Sequence, residues 1–399
     1  MTASLGREWL PLVWQLYDDV AARVQRYPAF THLLDQALLC LELRRALGED
    51  CGAADPRQVF RQAMAALGRE PAAGPWLYRG AAQAGWLAVQ LAQETAVGPD
   101  TRVAGLARID ALVLDWLLDY PDTADVDLPR GVLGLGVYGL AHPDPVVRET
   151  VVGGVLDVLG RRVERDGAGV FIRLADTPER RGDGSARCRI VGVAHGTAGL
   201  VGLLSHVVLA GADQADRARS LLAEALPWLL AQRLADAPGL FPHRVESAPA
   251  PARPTWCSGD LGIGLVLPLA GAASGAVEAL TTADDVAASL ARRPAADCGV
   301  VDACLCHGAA GLCWYGHRRH AETGDPAGAA MARYWAEWVA AKRADGPLRY
   351  FGPRGMVPDP SFLEGDTGIA LVLLQAVVGG PACWEQLVLA APARVVLTA

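Results

Sequence analysis

Leu305-Cys306-His307-Gly308-Ala309-Ala310-Gly311-Leu312 sets a thiol and an imidazole side by side, directly ahead of a glycine-punctuated apolar run. The same shape recurs along the chain. Upstream lie Tyr78-Arg79-Gly80-Ala81-Ala82-Gln83-Ala84-Gly85, Pro129-Arg130-Gly131-Val132-Leu133-Gly134, Ala194-His195-Gly196-Thr197-Ala198-Gly199 and Cys257-Ser258-Gly259-Asp260-Leu261-Gly262; downstream lies Leu363-Glu364-Gly365-Asp366-Thr367-Gly368. These six copies share a Gly-x-x-Gly core, or a near variant, leading into an apolar helix. Their first glycines fall at 80, 131, 196, 259, 308 and 365, at intervals of 51, 65, 63, 49 and 57 residues. Each interval holds one motif helix and one returning helix, so the chain reads as helical hairpins and not as strands. Glycine at a helix start permits a tight turn and close backbone approach, which lets many helix ends converge on one centre. Helices that are apolar nearly all round belong in an inner, buried ring wrapped by an outer one. The expected fold is all-α: an α/α toroid, a double ring of helical hairpins in one domain over residues 1–399, with the motif loops gathered at one end.

Outside the repeats, residues 8–48 and 57–68 carry apolar residues at helical spacing, with Gly48 and Gly68 where helices should stop. Residues 161–190 depart from the hairpin rhythm. Gly167-Ala168-Gly169-Val170-Phe171-Ile172-Arg173-Leu174 and the charged Glu179-Arg180-Arg181-Gly182-Asp183-Gly184 predict a small β-containing insertion, a short strand or two and a mobile loop. The Pro-rich segment 248–254 delivers the chain to Trp256-Cys257 in extended form, because residues before proline avoid the helical region.

Composition narrows the class. A hydrophobic fraction of 52% with 20% charged residues supplies a large core and excludes global disorder. The formal charge of −8 argues against a nucleic-acid partner, which needs a basic surface. The stretch from Ile190 to Ala212 lacks Asp, Glu, Lys and Arg, but its two histidines and several glycines make it a buried helix entered through a turn, so no membrane span is expected. The first ten residues alternate charge with apolar side chains and do not read as a signal peptide, and nine cysteines in such a chain are not a disulfide framework. A cytoplasmic protein with reduced thiols is the expectation.

A second stretch, Arg253-Pro254-Thr255-Trp256-Cys257-Ser258-Gly259, adds a third soft ligand to the pair at 306–307. Cys257, Cys306 and His307 would form a zinc site with three protein ligands. Zinc usually takes four, so the fourth position stays open to water or substrate, the mark of a catalytic site. Cys304 and Cys313 read as small buried hydrophobes, since a fourth protein ligand would close the metal. His206 reads as packed in the inner ring, and His317-Arg318-Arg319-His320 as a solvated helix end.

Together, Ala194-His195-Gly196, Trp256-Cys257-x-Gly and Cys306-His307-Gly308 resemble the motifs of the lanthipeptide cyclases, the LanC-like family, over about residues 70 to 380. The resemblance implies an α/α toroid around a zinc ion held by two cysteines and a histidine. It also implies an enzyme that adds cysteine thiols of a precursor peptide to dehydroalanine or dehydrobutyrine, closing thioether rings. His195 matches the family's motif histidine and would protonate the α-carbon. Arg253 matches an active-site arginine that would steady the enolate, and Asp127 an aspartate that would orient Arg253 or His195. A dehydrated, leader-bearing precursor peptide, a separate dehydratase and an export ATPase are the implied partners, in a cytoplasmic enzyme able to join the membrane through that complex. The chemistry is coherent: a peptide thiol with a pKa of about 8.5 is mostly protonated at neutral pH, a coordinated thiol loses its proton, and the enolate left by addition needs a donor and then a proton.

One departure stands out. Many family members have Tyr after the first zinc cysteine, where this chain has Ser258. Some members also carry an inserted SH2-like domain between repeats two and three; here at most a reduced version fits near 165–190. Two alternative readings are a LanC-like enzyme joining glutathione to dehydrated proteins and a non-catalytic, zinc-containing peptide-binding toroid. A glycosidase on a similar barrel is disfavoured, because the motif loops offer Cys and His in place of a carboxylate pair.

Overall fold

The structure, a computed structural model, describes residues 3–67, 74–94, 106–235, 239–246, 250–352 and 355–390. Residues 8–48 form two helices in place of one: α1 (Leu10–Arg26) and α2 (Phe30–Leu47). Pro28 accounts for the break. Tyr27 before it takes φ −137° and ψ 79°, outside the helical region, because the proline ring disfavours that region for its predecessor. Gly48 ends α2 at φ 97°, a backbone conformation open to glycine and strained for other residues. The next helix, α3, spans Pro56–Leu67; Gly68, its expected stop, lies outside the described residues.

The hairpins follow in chain order. They are α4 (Ala81–Ala92) and α5 (Leu106–Leu118), then α6 (Val132–Ala141) and α7 (Pro145–Arg162). Strands β1 (Glu164–Asp166) and β2 (Gly169–Phe171) and the short α8 (Pro178–Asp183) come next. The series resumes with α9 (Thr197–Leu209) and α10 (Ala215–Ala231), α11 (Asp260–Ser274) and α12 (Val277–Arg292), and α13 (Ala309–Thr323) and α14 (Pro326–Ala344). Strands β3 (Tyr350–Gly352) and β4 (Gly355–Val357) precede α15 (Asp366–Val378).

All six motif glycines are helix N-caps, with φ between −115° and −143° and ψ between −164° and −174°. Any residue adopts that extended conformation, so glycine is required there by space. A Cβ at Gly196 would sit 2.2 Å from the Ile190 carbonyl oxygen, and one at Gly365 2.2 Å from that of Asp359. None of the six caps uses a side chain. The orphan N–H groups of the first turn bond instead to the loop that folds back over them. Ala81, Thr197, Ala309 and Asp366 donate to the carbonyls of Gly74, Ile190, Asp302 and Asp359, each six residues before its capping glycine.

The chain divides into two compact units. The first comprises Met1–Ala72, Pro254–Trp256 and Leu290–Trp384; in it α13 packs on α14, and α15 packs on α1, α2 and α13. The second comprises Ala73–Arg253, Cys257–Ser289 and Glu385–Ala399, where α6 packs on α4, α7 and α9, and α9 on α10 and α11. Within the second unit the motif loops pass backbone hydrogen bonds from one to the next: Tyr78 N–H to Pro129 O, Leu128 N–H to Ala194 O, and Ala194 N–H to Cys257 O. The first unit does the same from Trp256 N–H to Cys306 O and from Cys306 N–H to Leu363 O. The glycine caps make this possible, since they bring the helix starts and their loops into backbone contact.

Residues 161–190 hold the antiparallel pair β1–β2 and α8. The hairpin rests on α10 through Phe171, whose ring stacks on Trp228 at a centroid distance of 5.2 Å. A second antiparallel pair, β3–β4, stands where the sequence offered only a connection between helices. Among the described residues, no helix is long and apolar enough to cross a membrane.

Candidate metal centre and its acid–base neighbours

Trp256 and Cys306 belong to the same unit and are joined by a backbone hydrogen bond of 3.0 Å; Cys257 follows Trp256 by one peptide bond. The Sγ atoms of Cys257 and Cys306 and a ring nitrogen of His307 lie within 4.8 Å of one another. Cys306 is buried, whereas Cys257 and His307 are part-exposed, so the cluster faces an accessible side. Two thiols and an imidazole at this separation suit zinc in a tetrahedral set with one position left over.

Asp302, which the sequence reading passed over, supports His307. Its carboxylate is 3% exposed, accepts from the Cys304 and Phe351 N–H groups at 3.0 Å each, and stands 3.7 Å from His307 Nε2. Burial works to raise its pKa, but the hydrogen bonds from His307 and from those two amides bring it down to about 2. A carboxylate behind a ligating imidazole sets its tautomer and ring orientation, and Asp302 stands beside His307 Nε2 in the place for that role. Cys304 is buried, its thiol pushed up to about 11 by burial, and its Sγ accepts the His307 N–H at 3.4 Å. With Asp302 and His307 it forms a second close set of ligand-type atoms. Cys313 is fully enclosed and its thiol is pushed up to about 12, as suits a core residue.

His195 and Asp127, 68 residues apart in sequence, form an ion pair: Nδ1 donates to Asp127 Oδ2 at 2.6 Å. The other Asp127 oxygen accepts the Arg130 N–H at 2.9 Å, and the carboxylate is 3% exposed. Desolvation disfavours the charged imidazole, yet the hydrogen bond and charge of Asp127, with smaller contributions from Cys257 and Asp125, hold its pKa above the ordinary histidine value. The ring itself is 45% exposed. Asp127 is thus bonded to His195, one of the two partners expected for it. Arg253 is exposed on the segment leading into the Trp256-Cys257 turn. Ser258 Oγ lies 3.6 Å from Cys257 Sγ, close enough for a weak hydrogen bond but without the reach of a phenol.

A second buttress also escaped the sequence reading. Arg180 of α8 pairs with both carboxylate oxygens of Asp125, two residues before Asp127, and the Ala175 N–H donates to the same carboxylate. Asp125, Asp302 and Asp359 share the position six residues before a capping glycine, a regularity visible in the sequence. The basic cluster after the fifth motif needs correcting: His317 is fully buried, with Nδ1 2.9 Å from Ser4 Oγ, and is not part of a solvated helix end. His206 is buried in α9, as expected.

Comparison with known protein families matches residues 126–389 to the lanthionine synthetase C-like proteins, well over half of the chain. The chain belongs to the lanthionine synthetase C-like family. Among solved structures, nisin cyclase superposes with a TM-score of 0.75 at 17% identity, covering 95% of this chain and 98% of that one. The shared fold is the all-helical α/α toroid expected from the repeats. No curated protein matches the chain. For a LanC-like protein, the clustered Cys257, Cys306 and His307 and the Asp127–His195 pair are the residues whose chemistry remains to be assigned.

Proposed function

We propose that this LanC-like protein is a zinc-dependent lanthionine cyclase that adds peptide cysteine thiols to dehydroalanine or dehydrobutyrine in a dehydrated precursor peptide. The observation carrying this reading is the clustering of Cys257, Cys306 and His307 within 4.8 Å in a setting that leaves a coordination position for a substrate thiol. Zinc held by these three residues would make a substrate thiol acidic enough to react as thiolate near neutral pH.

The remaining work falls to the chain's own residues. Asp302 holds His307 in the ligating tautomer. His195, whose pKa Asp127 raises, would deliver a proton to the α-carbon of the adduct. Arg253, on the approach to Cys257, supplies the charge that steadies the developing enolate. The peptide would reach this enzyme already dehydrated by a separate dehydratase, and an export ATPase would take the finished product.

The test is metal analysis and ring closure on one preparation. Wild-type protein should carry about one zinc per chain and close rings in a dehydrated peptide, read by mass spectrometry after thiol alkylation. Cys306→Ala should lose both properties. Ring closure by Cys306→Ala at the wild-type rate would overturn the reading.

A further inference from the structure

Conjugate addition of a thiol moves two protons: one leaves sulfur and one arrives at the α-carbon. His195, bonded to Asp127 and with its pKa raised by that partner, suits the second transfer better than the first. Ser258, beside Cys257, is no base at neutral pH. The structure brings a second imidazole to this place.

His243 lies on a segment pinned from three sides within one unit. The Leu240 and Phe241 N–H groups donate to the buried Asp260, first residue of α11 and three residues after Cys257, at 3.1 and 2.9 Å. The Ala252 N–H donates to Phe241 O at 2.9 Å. The Val191 N–H donates to the His243 carbonyl at 3.2 Å, and Ile190 pairs with Arg244. Val191 precedes Gly192, where even a Cβ would come within 2.3 Å of Ser258 Cα and 2.5 Å of Cys257 O. His243 is thereby held against the loop that carries His195, and that loop packs through Gly192 on the turn that carries Cys257. The residue keeps an exposed edge, while the loops around it remove part of its hydration.

We propose that His243 is the general base of the cyclase, taking the proton from the incoming substrate thiol while His195 supplies the proton that ends on the α-carbon. This rests on the cyclase reading above. The step balances: the S–H bond breaks with its proton passing to the His243 imidazole, sulfur uses the freed pair to form the C–S bond as the C=C bond opens, and the enolate takes a proton from His195. Transfer of the proton from His243 to His195, directly or through water, restores both, with no external oxidant, reductant or acid. The charged and titratable groups acting on His243 are Cys257, Arg244 and His195. Desolvation by the surrounding loops, the largest influence, with help from Arg244 and His195, keeps its pKa below the ordinary histidine value against the opposing pull of Cys257. Two imidazoles in one site are thus pushed in opposite directions, the pattern that separates a base from an acid.

The experiment compares wild type, His243→Asn and His243→Gln, zinc-loaded, on a synthetic peptide bearing one dehydroalanine and one cysteine. Zinc content should stay at the wild-type level in both variants, while kcat falls about 10²-fold or more with little change in KM. The acidic limb of the wild-type kcat/KM–pH profile, which reports the neutral base, should vanish. Imidazole NMR of the same samples should show His243 titrating below His195. Wild-type rate and an unchanged acidic limb in both variants would overturn the assignment and leave the cyclase reading standing; loss of zinc in the variants would also overturn it, by making His243 a support of the metal site. Wild-type protein that binds zinc and closes no ring in this peptide would overturn the cyclase reading, and the assignment with it.

Discussion

At the residue scale, two carboxylates do similar work for two imidazoles. Asp302 is buried, satisfied by two backbone amides, and backs His307; Asp127 is buried, caps Arg130 N–H, and backs His195. Removing the first should loosen the metal without removing a ligand. Asp302→Ala should weaken zinc affinity by about 10- to 100-fold, measured by competition with a chromophoric chelator. Removing the second should move a proton. Because Asp127 raises the His195 pKa, their pairing stabilises the fold fully at pH below the unfolded-state value of about 6.5 and loses that contribution as pH rises through the raised folded-state value. Asp127→Asn preserves an oxygen for the Arg130 N–H and removes the charge. The stability difference between wild type and Asp127→Asn should therefore be greatest below about pH 6.5 and shrink above it, and the His195 titration followed by NMR should shift downward in the variant.

At the scale of the element, the unit of construction is a turn of six residues closed by a glycine that starts a helix. Its backbone carbonyls cap the helix, so the usual Ser, Thr or Asp at the N-cap is unnecessary. The first helical position is then free for other uses: Thr197 Oγ1 accepts the Ile172 N–H at 3.3 Å, Asp260 holds the segment before Cys257, and Asp366 receives the Tyr350 hydroxyl at 2.5 Å. Gly196→Ala would place a methyl 2.2 Å from a backbone carbonyl that cannot rotate away. It should cost about 1–3 kcal/mol by overpacking, read from denaturant unfolding, and should displace the neighbouring His195. Gly160, with nothing within 4 Å of the position a Cβ would take and ordinary helical backbone, is the matched control where Ala should be neutral or stabilising.

For the whole molecule, the candidate metal site would draw its ligands from turns 49 residues apart, Cys257 before Gly259 and Cys306-His307 before Gly308. Metal bound only by the folded arrangement of such distant residues stabilises the native state by mass action. Free zinc at 100-fold above its Kd should add about 2.7 kcal/mol to the unfolding free energy. Thermal melts with zinc and with a chelator should differ in wild type and coincide in Cys306→Ala. Coincident melts in the wild type would remove zinc from the account of this fold.

Periodicity and glycine placement determined the helical hairpins and the six helix starts from the sequence alone, because those signals are local: a helix repeats every 3.6 residues, and a turn needs a small residue at a set place. Pro28 was a local signal too, and the reading of residues 8–48 passed over it. What only the tertiary structure decided are the pairings between distant positions. Asp127 meets His195 across 68 residues of chain, Arg180 reaches Asp125, Asp302 stands behind His307 while holding the β3 backbone, and His243 arrives beside the loop of His195. No local pattern marks such residues, since a carboxylate or an imidazole in a loop looks the same whether it meets solvent or another side chain; burial and the partner across the fold set its proton affinity, and both exist only once the chain has folded.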